Sequence, residues 1–324
     1  MNGPDGKWIG YGLGDVDPKV QDMKRFLKRK FSYAAVLDDS PLYDQAMVNV
    51  VSEMQAKYGL RVTGIMNYAT QVRCGYIKTA PVKPVMFTVE GHLSDMFVGP
   101  CAYTAKELEN QGVVRWQPVG YDNVALPFRN QTGVNELDRL FSDTVAFPLG
   151  TPFVMAIFSQ GAIVGCRFFL EQIRPENGKH HNRLKDLRGV IAFGNPYREQ
   201  NVIAPWVPDP PKAGTQGISD IRMTDTPEYW REVSRTGDLY ACNTADEIGL
   251  NCTAIYKIVS ESSWSGGQAG MLQRVLDLLG NPFDGFIDIA IAIIRGLGFV
   301  ANMGPHGTYD LGPCIDFLRQ RLTN

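Results

Sequence analysis

The chain has 324 residues, which is long enough for one large α/β domain of about two hundred residues and a smaller module. Its 44% hydrophobic and 20% charged residues are typical of a folded globular protein and exclude a disordered or fibrous chain. The 32 basic and 34 acidic side chains leave a net charge of −2, so no positive field attracts nucleic acid, and we expect no nucleic-acid partner.

Two further classes of protein are not indicated. Residues 1–7 lack the basic start and apolar stretch of a secretory signal, which predicts synthesis and retention in a cytoplasm. The long apolar stretch at 286–300 carries Asp288 and Arg295 and is shorter than the roughly twenty residues of a spanning helix, so we expect no membrane-spanning segment.

The cysteines do not suggest metal or redox chemistry. They are dispersed, with no C-x-x-C spacing, so free and mostly buried thiols are expected, and neither a metal nor another cofactor is predicted. The six positions are 74, 101, 166, 242, 252 and 314.

The first part of the chain predicts a small helical domain. Asp17-Pro18 opens an amphipathic pattern over residues 17–31, and a second helical pattern covers 42–57 and ends at Tyr58-Gly59. Residues 62–70 are interpreted as a turn that leads into a short helix. We therefore predict a compact helical module over residues 1–75.

The pattern changes after the prolines at 81 and 84. Apolar runs at 85–89, 113–116, 153–158 and 187–193 predict strands, with helices at 134–141 and 162–173 between them. Alternation of strands and helices predicts a mainly parallel sheet in a three-layer α/β domain over residues 76–324.

Two later segments depart from this alternation. Residues 262–303 contain two apolar helical patterns around a Gly-Asn-Pro break and look like an insertion. Residues 218–230 are interpreted as an excursion before a further short strand at 239–242.

Ser159 is the candidate nucleophile. It stands between the apolar strand 153–158 and a helix that opens Gln160-Gly161-Ala162, which is typical of the strand-turn-helix elbow of serine hydrolases. Ile157 occupies the position of the usual first glycine, and the same pattern also fits an ordinary strand-to-helix turn.

A serine hydroxyl needs an imidazole as base and a carboxylate that orients the imidazole. In α/β-hydrolases the order along the chain is serine, acid, histidine, and of the four histidines only His306 can follow an acid at a plausible distance. His180 and His181 lie in a hydrophilic segment that is interpreted as a solvated loop. Asp238, beside Gly237, is the preferred acid, and Asp246 is the alternative.

The oxyanion of an acyl-transfer reaction needs backbone donors. The first candidate is the N–H of Gln160, the residue after the nucleophile, and the second is the loop after the first strand, where Gly91 permits close approach. The neighbouring His92 is interpreted as a packing residue rather than a catalytic one.

These motifs resemble the cutinase-like serine esterases and, among them, the lysin B esterases of mycobacteriophages. The resemblance rests on residues 158–162, 236–239 and His306, and it extends over 85–92, 194–196 and 217–222, with Thr226-Pro227 and Trp230. It implies an α/β-hydrolase fold, a Ser159–Asp238–His306 triad and a helical insertion before the histidine, which residues 262–303 fit. It also implies hydrolysis of the ester between mycolic acids and arabinogalactan, at the cell envelope after release during phage lysis.

Two more implications follow from resemblance. The helices of residues 1–75 are similar to a peptidoglycan-binding module, and the basic residues at 24–30 either face an anionic wall or form a solvated helix face. Cutinases often carry a disulfide around the acid loop, whereas only Cys242 is present here, which implies a disulfide-free variant.

Two alternative functions stay open. One is a general cutinase or lipid esterase without a role at the cell wall. The other is a wall-binding phage protein that has lost activity, an alternative raised by Ile157 in the elbow.

Overall fold

The computed structural model describes residues 1–3, 6, 8–77, 82–261, 277 and 304–323. It has two compact units, Met1–Val82 and Lys83–Asn324. The predicted insertion at 262–303 lies outside the described residues, except for Asp277. Within the described ranges, no helix is both long and apolar enough to cross a membrane.

The first unit is helical, and the two helices predicted for it are confirmed. Its described residues contain three α-helices: α1, Pro18–Lys30; α2, Gln45–Lys57; and α3, Tyr68–Cys74. Each begins after a polar residue whose side chain accepts a backbone N–H of the first turn, namely Asp17, Asp44 and Asn67. The apolar faces of α1 and α2 meet in a core of their own.

The basic residues of α1 do not form one solvated face. The Lys24 side chain is 0% exposed, and its Nζ lies 2.5 Å from Asp38 and 2.8 Å from Asp44. Lys28 contacts Asp39 at 2.5 Å, and Lys30 donates to the carbonyl of Cys74. The interpretation as a solvated face is therefore wrong for Lys24, because loop carboxylates that are distant in sequence neutralise it inside the unit.

The second unit is built on a five-stranded parallel sheet with strand order β2-β1-β3-β4-β5. The strands are β1, Val85–Val89; β2, Arg115–Pro118; β3, Phe153–Phe158; β4, Leu187–Phe193; and β5, Trp230–Val233. The first four were predicted, and β2 begins two residues later than its pattern indicated.

The fifth strand corrects the prediction. It begins at Trp230, the last residue of the segment interpreted as an excursion, and residues 239–241 form a turn instead of the predicted strand. The physical reason is local, because the N–H groups of Tyr240 and Ala241 are bonded to the Asp238 carboxylate at 2.9 and 3.2 Å. Those donors are then not available to a β-ladder.

Helices cover both faces of the sheet, which gives the predicted three layers. The second unit contains α4, Pro100–Asn110; α5, Asn130–Ser142; α6, Gln160–Phe168; α7, Glu247–Glu261; and α8, Gly312–Thr323. Alternate residues of β1 and β3 point into two separate cores, one shared with α5 and α6 and the other with α4 and α8. All eleven residues of β1 and β3 are buried, as expected of strands covered on both faces.

Candidate active site

Ser159 lies on the turn between β3 and α6, at the carboxyl edge of the sheet. Its backbone has φ 55° and ψ −119°, a conformation that L-residues rarely adopt and that costs on the order of 1–3 kcal/mol. The Ser159 N–H donates to the carbonyl of Phe193 on β4 at 3.1 Å, which fixes the turn against the sheet. The strain and the bond together hold the hydroxyl above the strand ends.

Two glycines make room for this turn. A Cβ on Gly161 would lie 2.2 Å from the carbonyl oxygen of Val89, and a Cβ on Gly165 would lie 2.6 Å from Cγ2 of Ile157. Ile157 stands where serine hydrolases usually carry glycine, and its fully buried side chain fills the space that Gly165 leaves on α6. Isoleucine at position 157 is therefore accommodated by Gly165 on the adjacent helix α6, and the conformation of the elbow is retained.

The structure brings together the three residues selected from the sequence as a triad. The Ser159 Oγ lies 2.8 Å from His306 Nε2, and His306 Nδ1 lies 2.9 Å from both carboxylate oxygens of Asp238. His306 is only 4% exposed, at the end of the short 3-10 turn Gly304–His306. The hydroxyl, imidazole and carboxylate form a continuous hydrogen-bonded row.

The alternative acid, Asp246, has a different place. Its Oδ1 accepts the N–H of Gly249 at 3.0 Å and the hydroxyl of Thr244 at 2.6 Å, at the start of α7. Asp246 is thus a helix-capping residue, and it is Asp238 that contacts the imidazole.

The acid loop is held from behind by Arg198, which the sequence did not single out. The Arg198 side chain is 1% exposed, and its Nε donates to the carbonyl of Ala241 at 2.7 Å. Its Nη2 donates to the hydroxyl of Thr215 at 2.8 Å, and its Nη1 donates to the carbonyl of Val202 at 3.1 Å. One buried guanidinium therefore connects three segments, including the one that carries Asp238.

Two aromatic residues also contact His306 and help to position it. The Tyr309 hydroxyl donates to the carbonyl of His306 at 2.7 Å, and the ring of Tyr240 lies 4.7 Å from the imidazole. Neither residue had a recognisable signal in the sequence, because each acts through a contact that only the folded loop creates.

Both oxyanion candidates lie beside Ser159. Gln160 is the first residue of α6, and its side chain donates to Asn130 at 3.0 Å. A Cβ on Gly91 would lie 2.9 Å from Cβ of Ser159, so glycine is required there by the close approach. The Gly91 carbonyl accepts the side-chain amide of Asn123 at 2.8 Å, which fixes the loop after β1.

A buried carboxyl, missed from the sequence, precedes that loop. Burial raises the pKa of Glu90 to about 8, while the N–H of Ala102 in the first turn of α4 donates to its Oε1 at 2.8 Å. Glu90 thus connects the end of β1 to the start of α4. His92, two residues on, packs against Phe128 with 5.1 Å between ring centroids.

The remaining histidines correct the sequence interpretation. His180 is buried and its Nε2 lies 2.7 Å from Asp138, and His181 Nδ1 lies 3.1 Å from the carbonyl of Ile173. The solvated-loop prediction is wrong for His180, because Asp138, on α5, supplies a partner that the local polar composition does not reveal.

The cysteines are all free thiols, and five of the six are buried. Within the described residues, no three His, Cys, Asp or Glu side chains group as metal ligands.

The three-layer fold with a serine elbow at the sheet edge defines an α/β-hydrolase. "Endolysin B" of Mycobacterium phage D29 is 33% identical over 254 residues, which cover 74% of this chain and 99% of the relative. "Endolysin B" of Mycobacterium phage L5 is 32% identical over 253 residues, with the same shares covered. The chain belongs to this endolysin B family and is an esterase.

A solved structure agrees with the sequence relatives. The crystal structure of lysin B from mycobacteriophage D29 matches with a TM-score of 0.62 at 31% identity, over 74% of this chain and 100% of that one. Residues 16–73 match the family described as "Putative peptidoglycan binding domain". The predicted relation of the first unit to peptidoglycan-binding modules is confirmed at the level of the family.

Proposed function

We propose that the chain hydrolyses the ester between mycolic acids and arabinogalactan in the mycobacterial envelope. The observation that carries the chemistry is the row from Ser159 through His306 to Asp238, with both joining distances below 3 Å. The choice of ester is supported by membership of a family whose members belong to phages of Mycobacterium. The enzyme would be made in the host cytoplasm and act at the envelope after release.

In the proposed mechanism Ser159 Oγ attacks the ester carbonyl while His306 Nε2 takes its proton. Asp238 holds Nδ1–H of the imidazole and stabilises the imidazolium that forms. Collapse of the tetrahedral intermediate releases the sugar alcohol, which receives the proton from His306, and leaves an acyl-Ser159. Water activated by His306 then hydrolyses the acyl-enzyme and frees the acid.

The oxyanion would be stabilised at the start of α6. The first N–H groups of a helix have no carbonyl one turn earlier to bond, so the N–H of Gln160 is available to an anion beside Ser159. We propose Gln160 as the first donor and the loop at Gly91 as the second, because the missing Cβ of Gly91 leaves its backbone close to Ser159.

The experiment that tests this function is the release of free mycolic acids from purified mycolyl-arabinogalactan, followed by mass spectrometry. Replacement of the nucleophile, Ser159→Ala, should lower the rate by at least about a thousandfold. Asp246→Asn is the matched control, because it removes a nearby loop carboxylate that does not contact the imidazole. We expect it to keep the rate of the unmodified protein.

Each alternative function has its own outcome. Hydrolysis of a short chromogenic ester without any release of mycolic acids would leave a general esterase. No hydrolysis of either substrate would leave an inactive wall-binding protein. The accommodation of Ile157 by Gly165 favours an active elbow over that second alternative.

We also propose that residues 1–75 hold the enzyme on peptidoglycan, which the family match over residues 16–73 supports. Removal of these residues should weaken sedimentation with purified cell walls and leave short-ester hydrolysis largely intact, because each unit has its own core. Equal sedimentation of the full and shortened chains would refute the binding role.

A further inference from the structure

A cavity of about 370 Å³ lies beside the segment that follows His306. This volume is at the lower end of the range of small-molecule sites. Its apolar wall is formed by the side chains of Trp206, Val207, Pro208, Val233 and Tyr309. An apolar group that enters the cavity would leave water without displacing any member of the triad.

The cavity also has a cation with unused donors. Arg235, two residues after β5 ends at Val233, lines the cavity, and its Nη1 reaches the carbonyl of Thr308 only at 3.4 Å. Its Nε is shielded from solvent and has no hydrogen-bond partner among the described residues. A shielded donor without an acceptor is unfavourable, so this guanidinium is suited to an acceptor that arrives with a ligand.

The carboxylate on the same wall is already engaged. Asp310 accepts the N–H of Gly312 at 3.0 Å and so caps the start of α8. Within the described residues, Arg235 is not joined to Asp310 or to any other carboxylate in an ion pair. Among these residues the Arg235 guanidinium therefore has no ion-pair partner.

We propose that this cavity binds a free fatty acid, with its alkyl chain against Trp206 and Val233 and its carboxylate on Arg235. A planar guanidinium matches a carboxylate with two parallel hydrogen bonds, and such charge-assisted bonds are stronger than neutral ones. An ester or an alcohol of the same chain length fills the apolar part equally well but lacks the charge. The site consequently discriminates the acid from its ester.

The position of the cavity relates it to the reaction. The ring of Tyr309 lines the cavity, while its hydroxyl holds the carbonyl of His306. A bound acid would thus contact the residue that positions the imidazole, at a site separate from Ser159. The assignment of this cavity as a product site rests on the proposed function, since a fatty acid is the class of product that an acyl esterase releases. The proposal that the cavity binds a fatty acid does not depend on that function.

The test is calorimetric titration of the full chain with sodium dodecanoate, in the Ser159→Ala background so that catalysis plays no part. We expect saturable binding, weakened at least about tenfold by Arg235→Gln and less by Arg235→Lys. Methyl dodecanoate should bind the parent no more tightly than dodecanoate binds the Arg235→Gln variant. Arg231→Gln is the matched control, because Arg231 is an arginine four residues earlier, on β5, that lies 5.2 Å from the centroid of the Phe317 ring and does not line the cavity.

Equal dodecanoate affinity in the parent and the Arg235→Gln variant, or no binding to the parent, would overturn the proposal. If thermal unfolding shows that Arg235→Gln is unstable, Val207→Trp fills the apolar end instead and should abolish binding. Dodecanoate binding that depends on Arg235, without mycolic acid release by the active enzyme, would retain the fatty-acid site and refute only the proposed substrate.

Discussion

Arg198→Met should separate the support of the acid loop from the chemistry of the triad. The substitution keeps much of the side-chain volume but removes the donors to Ala241, Thr215 and Val202. It also removes the positive charge near Glu232, a fully buried carboxyl whose pKa burial raises to about 7. Three acceptors therefore lose a donor at once, two of them in fully buried hydrogen bonds, and the buried Glu232 loses a nearby positive charge.

The expected size of the effect follows from those contacts. Breaking a buried charged cluster by removing one member costs about 3–5 kcal/mol, which is a large part of the stability of a domain. Because the bond to Ala241 restrains the loop that carries Asp238, kcat for a short ester should also fall, by about ten- to a hundredfold. KM should change little, since Arg198 is buried away from solvent and does not reach a substrate.

The free energy of unfolding is measured by urea denaturation. Steady-state kinetics are measured without urea, at a temperature where the variant is still folded. Arg198→Lys is the matched control, since it keeps the charge and can restore one of the three bonds, and it should recover part of both losses. A kcat within twofold of the unmodified enzyme, at normal stability, would refute the role of Arg198 in the acid loop.

Three further substitutions test separate parts of the site. Gly165→Ala should lower stability and kcat for a short ester, because its Cβ would lie 2.6 Å from Ile157. Adding Ile157→Ala should restore much of both quantities. Additive losses in the double variant would contradict the compensation between the two positions. Burial raises the pKa of Glu90 from 4.5 to about 8, so the contribution of this group to the free energy of unfolding is lost as pH rises from about 4.5 to 8. Thermal unfolding at several pH values should therefore show a weaker decline in stability for Glu90→Gln. Parallel declines in the two proteins would mean that another group causes the dependence. Asp238→Asn should lower kcat by up to about 10⁴-fold while its melting temperature changes little, and retained activity would return the role of acid to another residue.

The sequence predicted those parts of the fold that one physical rule determines locally. Strands buried on both faces have continuous apolar runs, and β1, β3 and β4 were found for that reason. The three residues of the hydrogen-bonded row were selected because the order of serine, acid and histidine left one histidine to consider. Neither argument needed knowledge of contacts between distant residues.

The missed features depend on partners that are distant in sequence. Strand β5 contains Arg231 and Glu232 and does not read as apolar; the structure places Arg231 over Phe317 and bonds Glu232 to Asn195 and Trp230. Helix α4 begins directly after Gly99. A Cβ on Gly99 would lie 2.5 Å from the Glu90 carboxyl, so this carboxyl leaves room only for glycine before the helix. Such polar residues look exposed until their partners are known.

Ser159 and His306, which form one hydrogen bond of the triad, are 147 residues apart, and Asp238 and His306, which form the other, are 68 residues apart within that span. Contacts between residues so distant along the chain form late in folding, because the entropy of closing the intervening loop must be overcome first. Ester hydrolysis should therefore recover after the sheet has formed when the unfolded chain is returned to native conditions. Esterase activity therefore indicates complete folding, since a molecule whose last segment has not packed against the sheet has the nucleophile Ser159 but lacks the base His306.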